Sequence, residues 1–155
     1  MLGNTQIIFR LLMGAALGGL VGFERERHNR RIAGFRTHIL VCVGSTLIML
    51  TSLYVFDMYA GLAPVDPARI AAGVVTGIGF LGAGTIIRSG STVTGLTTAA
   101  SLWTVSGIGL ASGCGFHVAA VVTTIIVLAA LYLLRKLPID RELLKGGSDG
   151  KEGQE

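Results

Sequence analysis

The chain alternates long apolar runs with short charged or polar segments, and this pattern predicts an all-α membrane protein. Five apolar runs approach the length that a helix needs to cross a bilayer: about residues 7–23, 38–56, 70–87, 96–112 and 116–134. We therefore expect about five closely packed, glycine-rich transmembrane helices in one domain, residues 1–137. A short cytoplasmic tail, residues 138–155, is expected to follow.

The third run has the most distinctive composition. Residues 70–87 carry no charge and would reach about 27 Å as a helix, close to the thickness of the hydrocarbon core. Each glycine costs a soluble helix about 1 kcal/mol against alanine, whereas in membranes small residues let two helix backbones touch. The run therefore predicts a spanning helix packed on more than one side, through Gly73, Gly77, Gly79, Gly82 and Gly84.

Two further glycine patterns need an interpretation. Residues 77–82 match the G-x-G-x-x-G fingerprint of dinucleotide-binding proteins, but that fingerprint requires a preceding strand and an acidic residue about 20 positions later. The flanks here are apolar, and alanine, serine and leucine surround position 100, so helix packing is the better interpretation. In the first run, a continuous stripe of small residues is formed by Gly14, Gly18 and Gly22.

Composition and charge agree with a membrane location. The chain is 51% hydrophobic and 14% charged, against about 25% charged residues in soluble domains. Its net charge of +4 comes from arginines beside apolar runs, which indicates topology and not nucleic-acid binding. Five spans place three basic segments on one side of the membrane: the loop at 24–37, Arg88 and the start of the tail. The positive-inside rule makes that side cytoplasmic and places the N-terminus outside.

Cys42 and Cys114 lie in or beside different runs, and we expect free thiols.

A short repeat marks the starts of the second and fourth runs. Residues 34–37 read Gly-Phe-Arg-Thr, and residues 95–98 read Gly-Leu-Thr-Thr. The first interpretation of Thr37 and Thr98 is that they are helix N-caps. A sharper hypothesis is a cytoplasmic vestibule, in which two helix N-termini and nearby arginines bind a lipid headgroup or an acidic partner segment. Its candidate residues are Glu24, Arg25, Arg36, Thr37, His38, Arg88, Thr97 and Thr98.

Glu24 directly follows the first run and has two interpretations. It is either an interfacial anchor that helps to sort topology, or one half of an interfacial ion pair with an arginine such as Arg88. His38 and His117 are expected on opposite sides of the membrane, which excludes a metal site between them.

No catalytic constellation or metal-binding spacing is apparent, so we expect neither an enzyme nor a cofactor. The main alternatives are a cation transporter and a regulator that binds another membrane protein. Magnesium prefers carboxylate oxygens, and transporters hold their substrate near the bilayer midplane. The acids here lie at or beyond the ends of the runs, which favours the regulator. Cation transport, lipid or anion binding and homo-oligomerisation stay open.

Four segments together carry a family resemblance: GGLVGFERE (18–26), GFRTH (34–38), DPARIAAGVVTGIGFLGAG (66–84) and GLTTAASLW (95–103). In this order and spacing they resemble the MgtC/SapB family of bacterial inner-membrane proteins. The resemblance implies four or five spans, adaptation to low magnesium and survival inside host cells. For one branch it implies inhibition of the F-type ATP synthase rather than magnesium transport. Some members carry an ACT-like soluble domain after the last span. The chain ends at residue 155, so we expect none here.

Overall fold

The computed structural model describes residues 2–27 and 33–133, which form five helices and one small β-hairpin. In chain order these are α1 (Asn4–Arg27), α2 (Phe35–Tyr59), α3 (Ala68–Gly84), β1 (Ile87–Ser89), β2 (Thr92–Thr94), α4 (Leu96–Cys114) and α5 (His117–Leu133). The five-helix, helical membrane class expected from the sequence is confirmed. The predicted tail, residues 138–155, and residues 28–32 of the arginine-rich loop lie outside the described residues.

Three of the described helices are long and apolar enough to cross a membrane by length and composition: α1, α2 and the helix at Pro67–Gly84. The helix α5 is apolar but has 17 residues. The helix α4 has 19 residues and carries four buried hydroxyl side chains: Thr98, Ser101, Ser106 and Ser112. These hydroxyls face the interior of the bundle, so they do not oppose a membrane location. That α4 and α5 cross the membrane stays a prediction.

The centre of the bundle consists of α1, α2 and α4, and the glycine stripe of α1 packs directly on α2. A Cβ atom at Gly18 would lie 2.5 Å from the Cβ of Cys42 and 2.9 Å from the carbonyl oxygen of His38. A Cβ at Gly22 would lie 2.8 Å from the Cα of Phe35, and Gly14 meets Thr46 in the same way. Side chains at these three positions would push the two helix backbones apart. The pairing order also shows that α1 and α2 are antiparallel.

The helix α4 covers the other side of α2 with a second pair of close glycines. A Cβ at Gly109 would lie 2.7 Å from the Cβ of Ser45, and a Cβ at Gly113 would lie 2.7 Å from the Cβ of Met49. Residue numbers rise together along this contact, so α2 and α4 are parallel and begin at the same end of the bundle. The GxxxG spacing of Gly109 and Gly113 is visible in the sequence, but this pair was not among the predicted packing glycines.

The expectation for α3 is wrong within this chain. The helix contacts α2 and α4 through a single buried stripe: Ala71, Val74, Ile78 and Gly82. A Cβ at Gly82 would lie 3.6 Å from the Cβ of Ala99. A Cβ at any of the other four glycines would meet no heavy atom of the described residues within 4 Å: Gly73, Gly77, Gly79 and Gly84. Because α1, α2 and α4 already fill the core, α3 lies at the periphery and packs along one side.

The third helix also ends earlier than the charge-free run suggested, and a β-hairpin follows in place of a simple polar turn. The hydroxyl of Thr85 donates to the carbonyl of Gly82 at 2.8 Å, and its backbone N–H donates to the same carbonyl at 3.0 Å. Ile87 then pairs with Thr94 in an antiparallel ladder, which suits β-branched residues. Gly95 has a φ of 91°, and a Cβ built there would overlap the carbonyl oxygen of Thr85, so glycine is needed where the two backbone segments approach at the base of the hairpin.

At the opposite end of the bundle, Arg10 connects α1 to the C-terminus of α4. Its Nη1 donates to the carbonyl of Gly113 at 2.7 Å, and Gly115 ends the helix with a φ of 88°. A guanidinium there satisfies a terminal carbonyl and complements the negative end of the helix dipole. This contact explains how a charged residue is accommodated within the first apolar run, residues 7–23. Both cysteines are free, with Cys42 buried and Cys114 exposed.

Candidate functional site

A polar cluster lies at the end of the bundle where α2 and α4 begin. Arg25, in the last turns of α1, is 4% exposed, and its Nη2 donates to the hydroxyl of Thr98 at 2.5 Å. Thr98 belongs to the first turn of α4 and is itself buried. The bond therefore ties the end of α1 to the start of α4. A buried guanidinium needs such acceptors, because removing a charge from water is costly.

His38 forms the second part of this polar cluster, which we define as Arg25, His38, Thr98 and Ser101. The imidazole is fully buried, with Nδ1 2.8 Å from the carbonyl oxygen of Gly34 and Nε2 3.0 Å from the hydroxyl of Ser101. A carbonyl only accepts hydrogen bonds, so Nδ1 carries a hydrogen. The ring thus links the first turn of α2 to α4, just as Arg25 links α1 to α4.

The hydroxyl of Ser101 has one hydrogen and two neighbouring acceptors. Its oxygen lies 2.8 Å from the carbonyl oxygen of Thr98 and 3.0 Å from His38 Nε2. With a neutral ring, the hydroxyl can donate to Nε2; with a protonated ring, Nε2 donates to the hydroxyl, which then donates to Thr98. The direction of this bond is therefore coupled to the charge on His38.

The N-terminus of α2 is occupied by an acidic side chain of the same chain. Glu26 Oε2 accepts a hydrogen bond from the backbone N–H of Phe35 at 2.8 Å. A carboxylate at this position satisfies a terminal amide and interacts favourably with the positive end of the helix dipole. Glu26 was not among the predicted site residues, although an acid that ends one helix shortly before the next begins could have indicated it. An external anion is therefore not needed at this helix start.

The structure brings together three of the predicted site residues and leaves others on the surface. Arg25, His38 and Thr98 meet in the polar cluster, to which the structure adds Ser101. Glu24 is half-buried, and four predicted residues are exposed: Arg36, Thr37, Arg88 and Thr97. Arg88 lies on the hairpin, where its Nε donates to the carbonyl of Gly90 at 3.2 Å.

The N-cap interpretation of the two threonines is wrong. The N-cap residues are Gly34 for α2 and Gly95 for α4, so Thr37 and Thr98 are the third residues of their helices. The short repeat at residues 34–37 and 95–98 therefore reflects two helices that start with glycine at equivalent positions. At that third position, Thr98 is buried and accepts a hydrogen bond from Arg25, whereas Thr37 is exposed.

Metal-binding chemistry finds no support in the part of the chain that the structure describes. Within residues 2–27 and 33–133, no group of three or more histidine, cysteine, aspartate or glutamate side chains is placed to hold a metal ion. His117 lies near the other end of the bundle, edge-on to Phe9 with ring centroids 5.3 Å apart.

Comparison with known proteins decides the family. The model of the MgtC family matches residues 11–138. The chain belongs to the MgtC family. "Protein MgtC" of Salmonella typhimurium LT2 is 44% identical over 142 residues, which cover 87% of this chain and 58% of that protein. "Protein MgtC" of Brucella abortus is 46% identical over 123 residues, covering 78% of this chain and 48% of that protein.

A second name occurs among the relatives of this MgtC-family chain. The protein of Escherichia coli K12 named "Putative magnesium transporter YhiD" is 40% identical over 136 residues, which cover 86% of this chain and 63% of that protein. The chain thus spans about three-fifths of the length of its Salmonella and Escherichia relatives. No solved structure matches it.

Proposed function

We propose that this chain is the membrane domain of a non-enzymatic regulator in the bacterial inner membrane, which acts by binding another integral membrane protein. The magnesium association of the family supports a role in adaptation to low magnesium. The F-type ATP synthase, which the resemblance implies for one branch, is one candidate partner.

The observation that carries this proposal is the open outer face of α3, which we define as Gly73, Thr76, Phe80 and Gly84. Within residues 2–27 and 33–133, a Cβ at Gly73 or Gly84 would meet no heavy atom within 4 Å, and Phe80 is 82% exposed. Positions 73, 80 and 84 follow helical spacing and extend about 16 Å along one side of the helix. Glycine is unfavourable in a helix unless a second backbone approaches, which is how small residues function in membranes. A helix of a partner protein would supply that contact.

The centre of the bundle offers little support for a magnesium path. Two of the described acids already bond to helix starts: Glu26 accepts from Phe35, and Asp66 accepts from the N–H of Ala68 at 2.8 Å. Between these ends, α2 is in direct contact with the glycines of α1 and α4. Magnesium would need several oxygen ligands in near-octahedral geometry along its path.

Magnesium transport is the second candidate, and the name of the Escherichia coli relative favours it. We expect that purified protein in liposomes gives no magnesium uptake above protein-free liposomes, when uptake is followed with an enclosed magnesium indicator. Liposomes treated with a magnesium ionophore verify that the assay responds. Uptake above the protein-free level that disappears in Glu24→Ala would favour transport and contradict the regulator.

The orientation of the protein forms part of the proposal, with the hairpin end cytoplasmic and the N-terminus outside. Single cysteines at the exposed positions Ser91 and Ala63, in a Cys114→Ala background, test it with a membrane-impermeant thiol reagent. The buried Cys42 serves as an internal control. In intact cells, we expect labelling of Ala63→Cys and not of Ser91→Cys until the membrane is opened. The reverse pattern would contradict the orientation.

A further inference from the structure

An apolar groove of about 330 Å³ opens between α2 and α3 on the outside of the bundle. Its walls include Leu40, Gly44 and Ile48 on α2, and Val74, Gly77 and Leu81 on α3. Gly44 and Gly77 leave the groove open, because in the part of the chain that the structure describes a Cβ built at either position would meet no heavy atom within 4 Å. The groove lies beside the outer face of α3 and is distinct from it.

The chemistry of the groove suits a hydrocarbon chain. Among its described lining residues, Ser45 alone has a polar side chain. The hydroxyl of Ser45 donates to the carbonyl of Val41 at 2.8 Å within α2. Its hydrogen is therefore already used, and an occupant needs no polar group to match the walls.

The length of the groove distinguishes a lipid chain from a helix. Leu40 to Ile48 is eight residue steps, or about 12 Å along α2, and Val74 to Leu81 is about 10 Å along α3. The hydrocarbon core is about 30 Å thick, so the groove extends through roughly one leaflet. A transmembrane helix would need a contact through both leaflets, whereas an acyl chain is confined to one.

An exposed cation, Arg36, lies on α2 between the groove and the start of the helix. Arg36 precedes Leu40 by four residues, so it lies one helical turn before Leu40 on the same side of α2. Arg36 is exposed at the start of this helix, and a guanidinium binds phosphate in a planar, two-pronged geometry. We propose that the groove binds one acyl chain of an anionic phospholipid, whose phosphate contacts Arg36. In the orientation proposed above, this lipid belongs to the cytoplasmic leaflet.

The test compares lipids that differ only in headgroup charge. Protein purified in detergent is titrated with phosphatidylglycerol or phosphatidylcholine of identical acyl chains, and retained lipid is counted by native mass spectrometry. We expect the wild type to retain phosphatidylglycerol preferentially. Arg36→Gln should reduce that preference by roughly fivefold, since it removes one cation near an anionic lipid. Gly77→Leu and Gly44→Leu, from the two walls, should each reduce retention of both lipids.

The matched control is Gly79→Leu, on the same helix but outside the groove, where a Cβ also meets no heavy atom within 4 Å. It should retain lipid as the wild type does. Melting temperatures of all variants show whether a loss of lipid reflects a loss of fold. Equal retention of the two lipids by the wild type overturns the proposal, as does wild-type retention in folded Gly77→Leu and Gly44→Leu. A photo-crosslinker at Gly77 that captures protein in place of lipid in membranes also overturns it.

Discussion

Replacing Gly18 with leucine should destabilise the purified protein by about 3 kcal/mol or more, at or above the upper end of overpacking costs. At this position a Cβ would lie 2.5 Å from the Cβ of Cys42 and 2.9 Å from a backbone oxygen of His38. A backbone oxygen in a helix cannot rotate away as a side chain can, so α1 and α2 must separate. For a chain of this size the loss corresponds to a melting temperature lower by about 6–12 °C, which a thermal melt in detergent measures.

Gly107→Leu is the matched control for Gly18→Leu. Gly107 also belongs to a core helix, α4, but a Cβ there would meet no atom of the described residues within 4 Å. Its melting temperature should stay within about 2 °C of the wild type, because exposed substitutions change stability little. If the two variants melt alike, α1 and α2 do not make the close backbone contact described here.

Loss of the hydrogen bond between Arg25 and Thr98 should have the second largest effect on the free energy of unfolding. In a double-mutant cycle of Arg25→Met and Thr98→Val, we expect a coupling free energy of about 1.5–3 kcal/mol, the range for hydrogen bonds to charged groups. The expectation rests on the burial of both residues and on the 2.5 Å distance between Nη2 and Oγ1. The free energies of unfolding of the four proteins, measured in one detergent, give the coupling.

Thr97→Val provides the control cycle with Arg25→Met, since Thr97 is the exposed neighbour of Thr98. Its coupling with Arg25 should be about 0.5 kcal/mol or less. Similar couplings for Thr97 and Thr98 would mean that Arg25 stabilises the bundle without a specific bond to α4.

The sequence predicted the number and class of the helices because hydrophobic runs and glycine spacing are local signals. The stripe of Gly14, Gly18 and Gly22 does face another helix. The same spacing at Gly73 and Gly77 does not, because a small-residue pattern indicates a surface that allows close approach without specifying which element approaches. The pair Gly109 and Gly113 was overlooked because position 113 falls in the break between the predicted runs at 96–112 and 116–134.

The candidate site was predicted only as single residues near the right helix ends. Arg25 and Thr98 are 73 positions apart, and His38 and Ser101 are 63 positions apart. Their pairing depends on α2 and α4 being parallel, which the local pattern does not encode. Arg36 was a candidate because it stands at a helix start, but Glu26 provides the carboxylate there. Charge near a helix end therefore did not predict which arginine would be buried.

Photo-crosslinking in native membranes tests most directly whether this protein acts by binding another membrane protein. A photoreactive amino acid is placed at Phe80 on the outer face of α3, and at Ile125 on α5 as the control; these residues are 82% and 60% exposed. We expect a discrete adduct with a different membrane protein from position 80 and only lipid adducts from position 125. Lipid adducts alone at position 80, or an adduct with a second copy of this chain alone, would contradict it.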